Sequence, residues 1–365
     1  MRFGKYINRL DWYIIKKFLG TYIFTILLII SIAVVFDFNE KLDNFIKTDA
    51  PINKIIFEYY INFIPYFANL FSPLFVFVAV IFFTSKMAEN SEIIAMFSAG
   101  LSFKRMMRPY MISAAIISLT AFFLNAFIIP KGSVERLEFE HRYVKPRKNN
   151  YASNVQMEID KGVIAYIDYF SAESNIGSRF LLDKFEDKKL VSHLTARRIV
   201  YDPDTMYKWT IHDYMIREMH GMKETIIKGE KLDTILKMDP SDFLVMQKQQ
   251  EMFTSPELSA YISRQRERGV GNVESFEIEY HKRIAISFAS FILTIIGVSL
   301  SSRKRKGGMG LYLGIGLALS FSYILFQTVS ASFAVNGDTP PIVAVWIPNI
   351  LYSFIAYYLY KKAPR

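Results

Sequence analysis

The chain contains no cysteine, so no disulfide can staple any part of it and no thiolate can hold a metal. Its five histidines include no H-E-x-x-H pair, the spacing that sets two imidazoles on one metal ion. No G-x-x-x-x-G-K-[ST] loop is present, so the chain is not expected to hydrolyse ATP itself. Ser301 and Lys304 match the S-x-x-K spacing of some acyl-enzyme hydrolases, but they lie where an apolar block runs into a basic loop, and the match reads as coincidence. His281 stands beside Lys282 and Arg283 and reads as an interfacial anchor rather than a general base. No catalytic residue, metal or cofactor is expected.

Charge is also scarce. Only 21% of the 365 residues are charged, and six long blocks carry none. They are Phe18 to Phe36, Tyr59 to Ser85, Tyr110 to Ile129, Ile284 to Ser302, Leu311 to Val335 and Ile342 to Tyr360. Crossing a hydrocarbon core of about 30 Å takes roughly 20 apolar residues in a helix. Within lipid the backbone must satisfy its own polar groups, which a helix does. The chain therefore reads as an α-helical integral membrane protein with six transmembrane helices. The first block is too long for a signal peptide, and Phe36-Asp37-Phe38-Asn39 lacks the small residues of a cleavage site. The third block is bracketed by Pro109 and Pro130, and Pro65 and Pro73 should kink the second.

What charge there is has a direction. Arg2, Lys5, Arg9, Lys16 and Lys17 precede the first block. Lys86, Lys104, Arg105 and Arg108 follow the second, Arg303 to Lys306 follow the fourth, and Lys361, Lys362 and Arg365 close the chain. By contrast, Asp37 to Glu58 holds five acidic and three basic residues, and the segment near Asp338 has no basic one. Basic loops stay in the cytoplasm, so both termini are placed there and residues 131–282 outside. The formal charge of +10 is mostly this topological signal, not a nucleic-acid footprint.

The long insert alternates apolar and polar residues at Val155, Met157 and Ile159, turns at Asp160-Lys161-Gly162, and restarts at Ile164 and Tyr166. Tyr207, Trp209 and Ile211 alternate again after Asp202-Pro203-Asp204. Short alternating runs between turn signals predict a β domain, a sandwich, jelly roll or open barrel. A helix is then expected from Ser255, with Pro256 at its first position, Leu258, Tyr261 and Ile262 on one face, and Gly269 at its stop.

The loop from Lys86 to Arg108 is too apolar to be a solvated connector. It contains Glu89, Glu92, Ile93, Met96, Phe97 and Gly100. Spacing puts Ile93, Met96 and Phe97 on one helical face, and Gly100 suits the helix end. A short helix offering apolar knobs to the cytosol suits a groove in a partner; a helix lying flat on lipid is the other reading.

The run Glu92 to Gly100 resembles the loop by which membrane subunits of ATP-driven transporters meet their motor. With it come Asp239-Pro240-Ser241-Asp242-Phe243, the helix from Ser255 to Gly269, and Glu279-Tyr280-His281-Lys282-Arg283 at the fourth block. Gly307-Gly308-Met309-Gly310-Leu311 opens the fifth, with Gly314 and Gly316 following. This ordered set, and the layout of three spans, β domain and three spans, resembles the lipopolysaccharide-export permease family of the LptF/LptG (YjgP/YjgQ) type.

The resemblance implies a division into residues 1–130 (spans one to three, with a coupling helix at about 86–104), 131–282 (a periplasmic β-jellyroll with a helical connector) and 283–365 (spans four to six). It implies a bacterial inner-membrane location, a second permease subunit of the same family, a cytosolic ABC ATPase dimer, a single-span jelly-roll partner, and a periplasmic bridge receiving lipopolysaccharide. Lipid would enter between the first span of one subunit and the fifth of the other, making Phe24, Leu28, Gly310, Gly314 and Gly316 the lateral-gate candidates. Lys41, Lys47, Lys54, Lys131 and Arg136 are candidates to meet lipid phosphates at the outer rim. Two other readings stand beside this one: a permease for another lipid or a lipoprotein, and a membrane sensor or scaffold whose β domain binds a ligand.

Overall fold

A computed structural model describes residues 8–144, 151–186, 189–221, 223–240, 248–267, 273–302, 308–335 and 339–363. Residues 241–243, Gly269, the basic run 303–306, Gly307, Asp338, Arg2, Lys5 and Arg365, all used above, lie outside the described residues. The chain divides into two compact units. One holds residues 1–144, 250–256 and 274–365; the other holds residues 145–249 and 257–273.

The first unit is helical. In chain order it has α1 (Arg9–Lys47), α2 (Ile52–Lys54), α3 (Ile61–Leu70), α4 (Ser72–Glu89), α5 (Glu92–Ser98), α6 (Phe103–Phe123) and α7 (Ile129–Phe139). After the insert come α9 (Glu274–Ser301), α10 (Gly308–Val335) and α11 (Pro341–Lys362). Six helices among the described residues are long and apolar enough to cross a membrane.

Three boundaries differ from the sequence reading, each for a local reason. The segment Asp37 to Glu58 is not a loop. Helix α1 runs on to Lys47, because Asp37 and Lys41 pair at i, i+4, 2.7 Å apart, and Phe45 is buried one turn further on. Pro73 does more than kink the second block. The helix stops at Leu70, Phe71 takes a non-helical conformation, and α4 restarts with proline in its first turn, where a missing N–H costs nothing. Pro109 and Pro130 do not bound the third block, which is helical from Phe103 to Val144. A π-helical turn at Leu124–Ile128 sits just ahead of Pro130 and takes up the irregularity.

In lipid apolar residues gain nothing by facing one another, so close approach and polar ties hold helices together. A Cβ on Gly297 of α9 would lie 2.7 Å from Val80 of α4. Asn349 on α11 donates to the Ala285 carbonyl of α9 at 2.9 Å and accepts from Tyr323 of α10 at 2.8 Å. Ser118 ties α6 to the Ser287 carbonyl of α9 at 2.8 Å. These joints are buried, so each replaces an otherwise unpaired polar group.

The second unit is a six-stranded antiparallel sheet with a jellyroll-like curl, its strands in chain order β1 (Tyr151–Asp160), β2 (Val163–Ser171), β3 (Ile176–Glu186), β4 (Lys189–Tyr201), β5 (Lys208–His220) and β6 (Lys223–Ile235). One face carries the core, with Met157, Ile167, Phe170, Phe180, Ile199, Trp209 and Ile211 all essentially inaccessible. The Trp209 indole donates to the Met238 carbonyl at 3.0 Å. Tyr201 donates to Asp239 at 2.7 Å, and holding that proton for the carboxylate pushes Tyr201 up to about 12. The helix α8 (Ser255–Glu267) follows, and of its second-unit residues Leu258 and Gln265 are buried, with Tyr261 and Ile262 half-buried on the same face.

A single sheet covers a core with one face, and here the alternation of inward and outward side chains slips along one crease line that crosses the strands. Asn154, Arg179 and Asp213, on alternate strands, have left-handed φ of 54°, 49° and 53°. Pairing keeps one register on both sides of these residues, so nothing is inserted. Instead the side-chain alternation slips, and pairs such as Ser178-Arg179 and Arg197-Arg198 both face outward. Along this crease β propensity should invert. Asp213→Val is expected to lower the thermal midpoint, costing about 1–2 kcal/mol for a branched residue held left-handed, whereas Asp213→Gly should be neutral or stabilising.

Candidate functional site

Two clusters in the helical unit gather chemistry. At one, Ser91 adopts a left-handed φ of 62° that turns the chain sharply into α5. The shared face of Ile93, Met96 and Phe97 exists as expected, but it is turned inward, not outward. Ile93 is 1% exposed and packs in one cluster with Ile14, Phe18, Met106 and Tyr110, with Met96 and Phe97 along its edge. Burying that face is what holds so short a helix in place. The outer face presents Ile94, 51% exposed, with Ala95, Ser98 and Ala99, and Gly100 ends the helix at φ 83°. Glu92 accepts from the Tyr13 hydroxyl at 3.1 Å. Next to it Asp11, almost wholly buried, receives both guanidinium nitrogens of Arg105 at 2.5 and 2.7 Å.

The second cluster is a chain of charges. Lys41 meets Asp37 at 2.7 Å and Glu140 at 3.4 Å, and it contacts the Tyr59 hydroxyl. Glu140 lies 3.7 Å from Arg136, whose other nitrogen reaches Glu251 at 2.9 Å and whose guanidinium stacks 4.0 Å over Tyr66. Arg283 bonds Glu279 at 3.1 Å, Ser255 at 3.1 Å and the Gln250 carbonyl at 3.3 Å. Between these groups lies a cavity of about 40 Å³ bordered by Tyr66, Asn69, Asn125, Ser133, Glu251 and Arg283.

The five basic candidates thus separate. Lys41 and Arg136 are neutralised inside the cluster. Lys54 sits 3.4 Å from Glu58. Lys47 and Lys131 are exposed and make no ion pair among the described residues.

The family model of the lipopolysaccharide export system permease LptF/LptG matches residues 12–362, nearly the full chain. The chain belongs to this family. A search of curated proteins returns no match. Membership accounts for the six apolar helices around an inserted β domain and makes the chain a multi-pass permease of a transport system.

Within this LptF/LptG chain the gate candidates divide by exposure. Phe24 and Leu28 stand out from α1, 64% and 48% exposed. A Cβ on Gly310 or Gly314 would meet open space. Gly316 faces the other way, where a Cβ would lie 2.4 Å from Ile81 of α4; it is a packing glycine within the bundle. Sequence reasoning missed Asp11, Tyr13, Glu251 and the pairing of Arg283. Asn8 and Asp11 do carry a readable capping signal, and the Asn8 N–H donates to Asp11 at 2.9 Å. Nothing local announces Arg105 as its partner.

Proposed function

We propose that the chain is one permease subunit of an ATP-driven exporter that takes lipopolysaccharide from the inner membrane and passes it through its β domain to a periplasmic bridge. The family match across residues 12–362 carries this reading. The chain has no phosphate-binding loop, so hydrolysis falls to a cytosolic ABC ATPase dimer received at α5 through Glu89, Glu92 and the exposed face around Ile94. Basic loops place both termini in the cytoplasm and the sheet in the periplasm. A second subunit of the same family covers the apolar flanks of α1 and α10, where Phe24, Leu28, Gly310 and Gly314 border the lipid path. Lys47 and Lys131 are the side chains best placed for lipid A phosphates, since each has charge to give. A single-span jelly-roll protein joins the sheet on its periplasmic side.

Purifying the tagged chain from native membranes in mild detergent tests this. The expected companions are a P-loop ATPase, a second six-span subunit and bound lipopolysaccharide. Recovery with an ATPase but with another lipid or a lipoprotein would redirect the substrate. Recovery with signalling proteins and no ATPase would favour the sensor or scaffold.

A further inference from the structure

The start of α1 and the short helix α5 stand about eighty residues apart in sequence, yet three kinds of contact make them one body. Asp11 has both carboxylate oxygens taken by the Arg105 fork at 2.5 and 2.7 Å. A paired bond of that kind resists both rotation and sliding, because either motion breaks the two bonds together. Arg105 belongs to the first turn of α6, directly after the α5 loop, and Ser102 caps that turn by accepting the Arg105 N–H at 3.3 Å. Tyr13 reaches Glu92, the first residue of α5, at 3.1 Å. Ile14 and Phe18, both fully buried, share a cluster with Ile93.

The rest of α1 is held differently. Beyond Phe18 one flank is bare, with Phe24, Leu27, Leu28 and Ile32 all exposed. Its far end is fixed again, by Lys41 to Glu140 and Tyr59, by Asp37 accepting from the Tyr59 and Tyr60 hydroxyls, and by Phe45 against Tyr59 and Phe139. Asp11 and Phe24 are about 20 Å apart along one stiff helix at 1.5 Å per residue. Displacing the Asp11 end therefore swings the bare middle about the fixed far end.

We propose that Asp11, Arg105 and Tyr13 are positioning residues that lock the first span to α5, so that force applied to α5 is delivered to the gate-lining flank of α1. The inference rests on the reading of α5 as the ATPase-docking helix. The three residues need not touch the ATPase or the lipid; their role is to keep motion at α5 from being lost as local rearrangement before it reaches the gate.

The test uses the full complex of this chain with its partner subunit and ATPase in lipid nanodiscs, comparing wild type with Asp11→Asn and Tyr13→Phe. The readouts are ATP hydrolysis, lipopolysaccharide delivered per ATP and, in a separately labelled sample, the distance between spin labels at Leu27→Cys and Lys104→Cys, this chain having no cysteine of its own and those of its partners being replaced. Hydrolysis should stay near wild type in both variants. Delivery per ATP should fall roughly three- to thirtyfold in Asp11→Asn, as expected for a broken coupling contact, and less in Tyr13→Phe. The label distance should stay narrow across nucleotide states in wild type and broaden in Asp11→Asn. A merely structural role would lower hydrolysis and delivery together and leave their ratio unchanged. Wild-type delivery per ATP and an unchanged distance in both variants would overturn the proposal. If Asp11→Asn does not fold, Tyr13→Phe, which removes one partly exposed hydroxyl, decides by the same ratio. Failure of the wild-type chain to capture any ATPase would instead overturn the docking reading, and this proposal with it.

Discussion

Exchanging Arg136 for Met is expected to destabilise the helical unit by about 1–3 kcal/mol, the cost of taking from the half-buried Glu140 and Glu251 the buried cation they share. Only 3% of the Arg136 side chain is exposed, and it stands between Glu140 and Glu251. Methionine fills much of the same space over Tyr66, so the loss isolates charge from packing. Lys131→Met should shift the midpoint by no more than about 0.5 kcal/mol, since an exposed lysine without an ion pair has nothing to leave behind. Intrinsic tryptophan fluorescence during heating of the detergent-solubilised chain reads both. Adding Glu251→Gln to Arg136→Met should recover part of the loss, because one of the two carboxylates facing the missing guanidinium then carries no charge. If Arg136→Met melts like wild type, the cluster does not hold the bundle and Arg136 returns to the set available for lipid phosphates. Substrate crosslinking should respond in the opposite order, strongly to Lys47→Glu and Lys131→Glu and weakly to changes that keep the cluster intact.

How much of this was legible in the sequence depends on the range of the interaction. Six spans follow from charge-free length alone, because lipid enforces a rule that every span must obey locally. The strands around Val155–Ile159 and Trp209–Ile211 were readable because alternation is a two-residue signal, although Tyr207, expected to open the second, belongs to the turn before β5 at φ 62°. The crease was not. It is a slip in alternation at one position per strand, and in any single strand it looks like noise. Only six paired strands show that Asn154, Arg179 and Asp213 fall on one line. The orientation of α5 was lost for a related reason. Spacing grouped Ile93 with Met96 and Phe97 correctly, but periodicity cannot say whether an apolar stripe faces a partner or its own bundle. Ion pairing defeated the rim candidates similarly. Lys41 and Lys47 look alike in a string of letters, each with an aspartate four residues back, and only the fold gives Lys41 Glu140 and Tyr59 as neighbours as well.

Ile94→Asp is expected to weaken capture of the ATPase by about thirty- to a thousandfold, the range of an interface anchor worth about 2–4 kcal/mol, with no change in the thermal midpoint of the free chain. Ile94 is the large apolar side chain that α5 shows to solvent, and a carboxylate there would have to be desolvated when a partner closes over it. Ile93→Asp should do the reverse. That position is 1% exposed, so the charge enters the chain's own core, and the loss is of folded protein rather than of affinity. The adjacent pair therefore separates the outward from the inward face of one seven-residue helix. Binding of solubilised variants to immobilised ATPase, measured beside their melting curves, distinguishes them. If Ile94→Asp binds normally and Glu92→Lys alone fails, recognition at α5 is electrostatic and rests on the carboxylate that Tyr13 already orients. If both bind normally, α5 is not the docking element, and its buried face serves only to close the bundle beneath α1.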